Sequence, residues 1–482
     1  MDIKFILNSP EEAIQQHQKA TGDSVKSDKV LELVQQLKAQ KKSEKSIKKK
    51  KQLCSKEFKE FKGDGEKIAL LKEQMQSITR ELESLEAQQK QTEGEILAQF
   101  GNGVETKEPN DPQPRQDLPS QFQPYSRQDQ QQRAGEDISP AQIIAIDDDR
   151  EADWNQYVSN HPNASLYHQY SWRKVIAESF HHPSIYLVAQ DNRGNIVGLL
   201  PLIWLKSRLF GSFSISIPFF NYGGPLCDND KIAIQLLNSA KELISKYQWE
   251  HIEIRTTQPG YAFPYRDTKA SMIRRLPTTE DDLDKEIGSK VRAQIKQGAV
   301  HSPQIIFGSS ELLNDFYQVF SIHMRDLGTP VYSRDFFANI LKEFPSSATL
   351  VVVRLGGEPV AAAFLIGHRE MLEIPWASTL KKTNKLNMNM WMYRQILGYA
   401  IDKGYQFFDF GRSTIDAGTF RFKKQWGAAP VKHYWYYLKL DDQAIPELNP
   451  NNPKYKLLIA IWKRLPVAIS NLIGPLVVKF LP

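Results

Sequence analysis

The chain has 482 residues, 41% hydrophobic and 24% charged, with a formal net charge of +6. That length exceeds one hydrophobic core, which stops growing at about 250 to 300 residues, so two or more domains are expected. The mild positive charge does not by itself imply a nucleic-acid partner, and Cys54 and Cys227, far apart and without zinc or disulfide-framework spacing, fit a reducing cytoplasm.

Residues 1–27 read as an N-terminal extension. MDIKFILNSPEEAIQQ lacks the apolar core and small-residue cleavage site of a secretory signal, so export is not expected. Residues 28–100 hold almost no proline or aromatic residue and predict helix. After Gly65, Ile68, Leu71, Met75, Ile78, Leu82 and Leu85 recur at alternating spacings of three and four, the seam of a coiled coil. Val30, Val34 and Leu37 keep that pattern in the first limb, where KKSEKSIKKKK then interrupts it. The glycines of KGDGE predict a turn, hence an antiparallel helical hairpin with one basic limb. Two readings of Lys48, Lys49, Lys50 and Lys51 stay open: a solvated helix face, or contacts to RNA phosphates.

Residues 101–140 are rich in Gln, Pro and Asp and predict a flexible linker, because too little apolar surface is present to offset ordering entropy. From 141 onward strands and helices alternate. SIYLVAQDNRGNIVGLLPLIWLK and, about 160 residues later, ATLVVVRLGGEPVAAAFLIGHR are both long hairpins. Each is followed by a strand, a helix and a further strand. The fold class expected is therefore α/β: two mixed-sheet domains at 141–300 and 301–445, preceded by the hairpin and linker. The tail, 446–482, has an uncharged run from Leu465 to Val478 that is broken by Pro466 and Pro475. It is too short to span a bilayer. Lys454, Lys456, Lys463, Arg464 and Lys479 bracket its apolar segments, so it either lies on a membrane surface or packs on the second domain.

The richest stretch chemically is DFGRSTIDAGTFRFKKQWG, Asp409 to Gly427. A strand ending at Phe410 with Gly411 next allows a sharp exit, placing Arg412 and Ser413 at a sheet edge where α/β proteins bind ligands. Arg412 offers a planar fork suited to phosphate or carboxylate, or else pairs with Asp409 or Asp416. Phe422 and Trp426 either wall a site off from water or are core. Lys424 points away from Lys423 if the segment is extended. In the first domain Asn221, Tyr222, Gly223 and Gly224 form a glycine loop, suited to a ligand or to a plain turn. Histidines 181, 182, 301, 323 and 368 lack ligand spacing, so no metal is implied.

MRDLGTPVYSRDFF, FFDFGRSTIDAGTFRFKKQWG, NPKYKLLIAIWKRLP, YHQYSWRKVI and PFFNYGGPL together resemble the FemAB-related proteins found with bacterial exosortase and exopolysaccharide systems. That resemblance implies tandem domains of the GCN5-related N-acetyltransferase (GNAT) fold. It implies amide formation on a peptidoglycan or exopolysaccharide precursor, with Lys423 stabilising the tetrahedral state. Trp172 falls in a stretch similar to the one that opens the acceptor pocket, although Ile176 replaces a frequent lysine. Arg325 and Thr329 either shape the cleft or cap a helix. LCSKEFKEFKGDGEKIALLKEQMQSITRELESLEAQQ is similar to the helical arm of seryl-tRNA synthetases, which holds tRNA.

The resemblances thus imply an aminoacyl- or acyltransferase with no bound cofactor and an activated donor, either aminoacyl-tRNA or an acyl thioester. The stretches CDNDKIAI and KKTNKLNMNMWM lack the glycines of the usual coenzyme A loop, which disfavours ordinary acyl-CoA. Alternatives are N-acyl transfer from acyl-CoA or acyl-carrier protein to an amino sugar, and a non-catalytic glycan-binding adaptor. Expected partners are an envelope glycan or peptide precursor, tRNA, the inner membrane through the tail, and a second copy through the coiled coil. The expected location is cytoplasmic, with peripheral inner-membrane contact as an alternative.

Overall fold

The computed structural model describes residues 6–7, 9–21, 27–60, 65–99, 118–122, 141–207, 210–440 and 453–481. Two compact units divide the chain, residues 1–114 and 115–482.

The first unit is helical: α1 (Pro10–Thr21), α2 (Ser27–Glu60) and α3 (Gly65–Ala98). The glycine turn between the long helices lies outside the described residues, apart from Gly65. Antiparallel pairing is fixed by Gln40 Nε2 donating to Thr92 Oγ1 at 3.2 Å and Gln89 Nε2 donating to Glu44 Oε2 at 3.1 Å. Val30, Leu33, Val34, Leu37 and Ile96 form a core with Ala13 and Ile14 of α1, so the N-terminal extension packs on the base of the hairpin. Farther along, Leu71 and Leu82 are buried while Met75, Ile78 and Leu85 are half-buried, as a two-helix seam open to water on both sides requires. Lys50 is exposed on α2; the side chains of Lys48, Lys49 and Lys51 lie outside the described residues.

The second unit runs, in chain order, through β1 (Gln142–Ile146), α4 (Glu151–Asn160), α5 (Ser171–Phe180), β2 (Ser184–Gln190), β3 (Ile196–Ser207), β4 (Gly211–Ile215), β5 (Leu226–Cys227), α6 (Asp230–Tyr247), β6 (Ile252–Thr256) and β7 (Tyr265–Arg266). Next come β8 (Lys269–Arg275), α7 (Glu280–Glu286), α8 (Ser289–Ala299), β9 (Gln304–Gly308), α9 (Leu313–Leu327), α10 (Arg334–Glu343), β10 (Ala348–Leu355), β11 (Glu358–His368), β12 (Met371–Thr379) and α11 (Met388–Asp402). The chain ends with β13 (Phe407–Thr414), α12 (Gly418–Lys424), β14 (Ala429–Lys432), β15 (Tyr434–Leu438), α13 (Pro453–Trp462) and α14 (Val467–Val478).

Two sheets result, ordered β1-β2-β3-β4-β6-β15-β7 and β9-β10-β11-β12-β13-β8-β14. Apart from β5, which pairs with β3 in the first sheet only, they match strand for strand. In each, antiparallel hairpins lead to one parallel pair, β4 with β6 and β12 with β13. The sixth strand of each sheet comes from the other end of the chain. β8 precedes the second set of strands yet pairs with β13, and β15 follows it yet pairs with β6. Sheet membership therefore does not follow chain order at 269–275 or 434–438. One apolar core runs through both halves, with Trp172 and Phe220 stacked near Phe344 and Phe336.

Within the segment expected to be linker, residues 118–122 dock on this unit. Phe122 is buried with its ring edge-on to Tyr222 at 5.2 Å. The rest of 101–140 lies outside the described residues.

Candidate active site

β12 and β13 run parallel for three residue pairs, the last being Glu373 with Asp409. Beyond that pair β13 has an irregular register against β8, and Gly411 takes a φ of 76°. A Cβ there would stand 3.1 Å from the Ile374 carbonyl oxygen, so a side chain is excluded by both conformation and space. Lys423 fills the gap beside it. Its Nζ donates to the carbonyls of Gly411 and Arg412, both at 2.9 Å. An ammonium has three N–H groups, so one remains for a ligand.

The segment carrying Lys423 is not extended: it forms α12. The helical turn separates neighbouring side chains by about 100°, which buries Lys423 and leaves Lys424 exposed.

Glu373 and Asp409 are both buried side by side. Burial, and then the Asp409 charge, push the Glu373 carboxyl well above its usual range. Asp409 is raised by burial to about 6, against the pull of the Gly411 amide, which donates to its Oδ1 at 2.7 Å, and of Lys423. Lys423 is lowered by burial to about 8, with the two carboxylates opposing that shift. Three groups with mutually dependent charge thus share one enclosed spot.

The other half of the molecule closes over it. Tyr167 Oη donates to Glu373 Oε2 at 2.8 Å, while Asn221 Nδ2 and Tyr222 Oη reach the same carboxylate at 3.5 Å. A second polar group adjoins. Glu253 and Arg255, two residues apart on β6, pair at 2.7 Å, and Tyr437 Oη donates to Glu253 at 2.7 Å. The guanidiniums of Arg255 and Arg412 lie over the Trp435 ring at 4.4 and 5.1 Å.

Of the residues singled out in the sequence, Lys423, Arg412, Asn221 and Tyr222 come together here. Arg412 pairs with neither Asp409 nor Asp416. Gly223 donates its amide to the Arg255 carbonyl at 3.1 Å and lines a shallow recess with His168, Thr256 and Gln121. Ser413 is buried on the same strand, its Oγ without a partner.

Five others are placed differently. Trp172 is fully enclosed, its indole N–H donating to the Leu166 carbonyl at 3.0 Å. It supports Tyr167 and Phe220 instead of opening a pocket. Trp426 is core against Tyr393 and Phe410, and Phe422 packs edge-on to Tyr393. Arg325 bonds Asp326 and the Leu465 carbonyl of the C-terminal hairpin, and Thr329 is exposed, its amide closing the end of α9 after Gly328. Those two serve the helix end, not the cleft.

Glu373, Glu253, Arg255 and Trp435 carried no motif in the sequence, and Tyr167 opens YHQYSWRKVI without having been singled out there. A signal existed in retrospect: MLEIPWAST and HIEIRTT are buried strands holding lone charges, which fold only with partners. Among the described residues no cluster of His, Cys, Asp and Glu could hold a metal.

Comparison with known proteins fits this architecture. Residues 286–424 match the model of an acetyltransferase (GNAT) domain, and residues 1–100 that of the seryl-tRNA synthetase N-terminal domain. The crystal structure of FemX is similar at 16% identity and a TM-score of 0.49, covering 66% of this chain and 100% of that one. The C-terminal domain of a putative lysylphosphatidylglycerol synthetase from Agrobacterium fabrum is similar at 11% identity and a TM-score of 0.43, covering 65% and 94%. A tandem GNAT protein from the clavulanic acid biosynthesis pathway gives 11% identity and 0.40, covering 62% and 99%. No curated protein sequence matches. The second unit is a tandem GNAT-like fold, with the acetyltransferase-domain match falling on residues 286–424.

Proposed function

We propose that this chain is a Fem-type transferase that forms an amide on an amine of a cell-envelope glycan or peptide precursor. The observation that carries this reading is Lys423, held by two backbone carbonyls beside Glu373 and Asp409 with one N–H to spare. The amine lone pair attacks the donor's ester carbonyl. The resulting oxyanion accepts the free N–H of Lys423, the surplus amine proton passes to the carboxylate pair and from it to the ester oxygen, and as the C=O re-forms the C–O bond breaks to release the donor hydroxyl. Buried donors of this kind stabilise developing charge far better than water does, because they need no reorganisation.

Aminoacyl-tRNA is the favoured donor, supported by the match of residues 1–100 to a tRNA synthetase arm. An acyl thioester is the second reading, supported by the match of 286–424 to an acetyltransferase domain. The acceptor is the kind of precursor handled by exopolysaccharide systems, and the site of action is the cytoplasmic side of the inner membrane. The test is incubation of the full chain with tRNA carrying labelled amino acids, and separately with labelled acyl-CoA, plus an amino-sugar or muropeptide acceptor. Label appearing in an amide from tRNA supports the first donor; label only from the thioester supports the second. No transfer from either rejects the reading.

A further inference from the structure

Trp435 and Arg255 are cross-strand partners on β15 and β6, whereas Arg412 comes from β13 of the other sheet. The indole is held by its own N–H, which donates to the Asn221 carbonyl at 3.3 Å. Arg255 is 1% exposed. Its Nε donates to Glu253, its Nη1 donates to the Phe220 carbonyl at 2.8 Å, and its Nη2 is buried without a partner. The Arg412 guanidinium makes no hydrogen bond or ion pair among the described residues. Water reaches it, yet surrounding protein strips much of its hydration, and with the Arg255 charge this lowers it to about 10. Lys269 donates to Thr414 Oγ1 at 2.6 Å, and burial and the Arg412 charge lower its pKa. His433 is buried nearby, held neutral by burial and by both arginines, with its Nδ1 unpartnered.

The local charge does not balance. Glu253 offsets Arg255, which leaves Arg412 and Lys269 as two positive charges close together with no carboxylate bonded to either. A fold bears such repulsion poorly unless an anion completes the site. The buried Arg255 nitrogen without a partner says the same, since an orphaned buried donor is costly to leave unpaired. A planar guanidinium fork suits tetrahedral oxyanions. A carboxylate would neutralise only one of the two charges, while a phosphate monoester carries about −1.5 to −2 at neutral pH.

We propose that Arg255, Arg412 and Lys269 bind a phosphate dianion carried by the substrate, with Trp435 as the wall against which both guanidiniums rest. Lys423 Nζ bonds the Arg412 carbonyl at 2.9 Å, so the phosphate would sit beside the reacting centre. The proposal rests on the transferase reading only for which molecule carries that phosphate.

The test is calorimetric titration of the full chain at low chloride with inorganic pyrophosphate and, separately, with malonate. Pyrophosphate should bind the native chain, and Arg412→Gln should weaken it at least tenfold with the melting temperature unchanged. Should that variant melt early, Arg412→Lys, which keeps the charge but loses the fork, should still weaken binding several-fold. Malonate should bind at least tenfold more weakly than pyrophosphate. Equal pyrophosphate binding by native and variant chains, no binding by the native chain, or malonate binding as tight as pyrophosphate each overturns the proposal. Lys423→Met should keep pyrophosphate binding. Intact anion binding with no acyl transfer from any donor would therefore reject the transferase reading alone.

Discussion

Glu373 and Asp409 occupy opposite positions in the last pair of the β12–β13 parallel ladder, both buried, with Lys423 placed just past the point where the ladder ends. Two carboxyl groups so close in a dry site cannot both ionise freely, so they titrate as a pair. Asp409, raised to about 6, is the member of the pair that ionises first, because burial and the Asp409 charge push Glu373 well above the usual carboxylate range.

The pair makes activity and stability move in opposite directions with pH. Asp409 has a folded pKa above its ordinary 3.8, so between about pH 4 and 6 the folded state binds more protons than the unfolded chain. Its contribution to stability is full below that range and is lost as pH rises through 6. Transfer needs the ionised form, so kcat/KM should rise with pH up to about 6, by as much as about tenfold per unit, and fall above about 8 as Lys423 deprotonates. Asp409→Asn should flatten the acid limb of stability, measured by thermal melting, and of rate, measured by initial velocities. An acid limb unchanged in that variant would remove Asp409 from the proposed role.

Lys423→Met should lower kcat/KM by about 10²–10³, the loss seen when one oxyanion donor is removed. The methionine keeps most of the stem volume, so the fold should survive; circular dichroism checks this. The carbonyls of Gly411 and Arg412 lose their donor, which should cost about 1–3 kcal/mol, partly offset because a buried charge is gone. Lys424→Met, on the exposed side of α12, should leave the rate within about twofold.

Gly411→Ala tests the geometry without touching a charge. The left-handed backbone alone costs about 1–3 kcal/mol for a residue with a Cβ, and the new atom would crowd the Ile374 carbonyl. Lowered melting temperature together with a shift of the alkaline limb of the rate profile is expected, because the carbonyls that hold Lys423 must move. A variant with unchanged stability and profile would show that this kink does not set the lysine's environment.

Much of this fold was legible in the sequence because its signals are local. Hairpin spacing gave the duplicated plan and heptads gave the arm, but the glycine of DFGRS marks a kink inside β13 and not the expected strand exit, since the strand runs on to Thr414 between β12 and β8 and is not a sheet edge. What stayed hidden is non-local. Glu373 becomes functional only through register with Asp409, 36 positions away, and through hydroxyls on the other sheet's side. The exchange of β8 and β15 between sheets likewise depends on tertiary pairing. Trp172 illustrates the opposite error, since an aromatic in a motif reads the same whether it lines a pocket or packs behind it; its full burial decides.

The C-terminal hairpin yields a further prediction. α13 and α14 dock on the second unit through Arg325 on the Leu465 carbonyl and Gly474 against Val331, yet Leu458, Ile461, Ile469, Leu472 and Leu476 are exposed near Lys463 and Arg464. No helix among the described residues is long and apolar enough to cross a membrane. An apolar face flanked by cations suits the surface of an anionic bilayer. Co-sedimentation with vesicles containing about 30% phosphatidylglycerol should fall at least fivefold in Leu472→Glu/Leu476→Glu, each added charge opposing both burial and the lipid surface. Equal sedimentation would leave these side chains as a protein-facing surface.

The arm separates the two donor readings. A run of lysines on α2 that neutralises RNA phosphates releases counterions, so affinity for tRNA should fall steeply as salt rises. Changing Lys48, Lys49, Lys50 and Lys51 to Gln should weaken binding by the full chain and lower the slope of log affinity against log salt by up to roughly 3 to 3.5, about 0.7 to 0.9 for each phosphate no longer neutralised. Polar surface substitutions of this kind rarely shift stability by more than about 0.5 kcal/mol, so a collapsed arm would not account for the weaker binding. Filter binding at two salt concentrations measures both quantities. A slope unchanged by the four substitutions would assign the lysines to a solvated face, and the thioester would then be the better-supported donor.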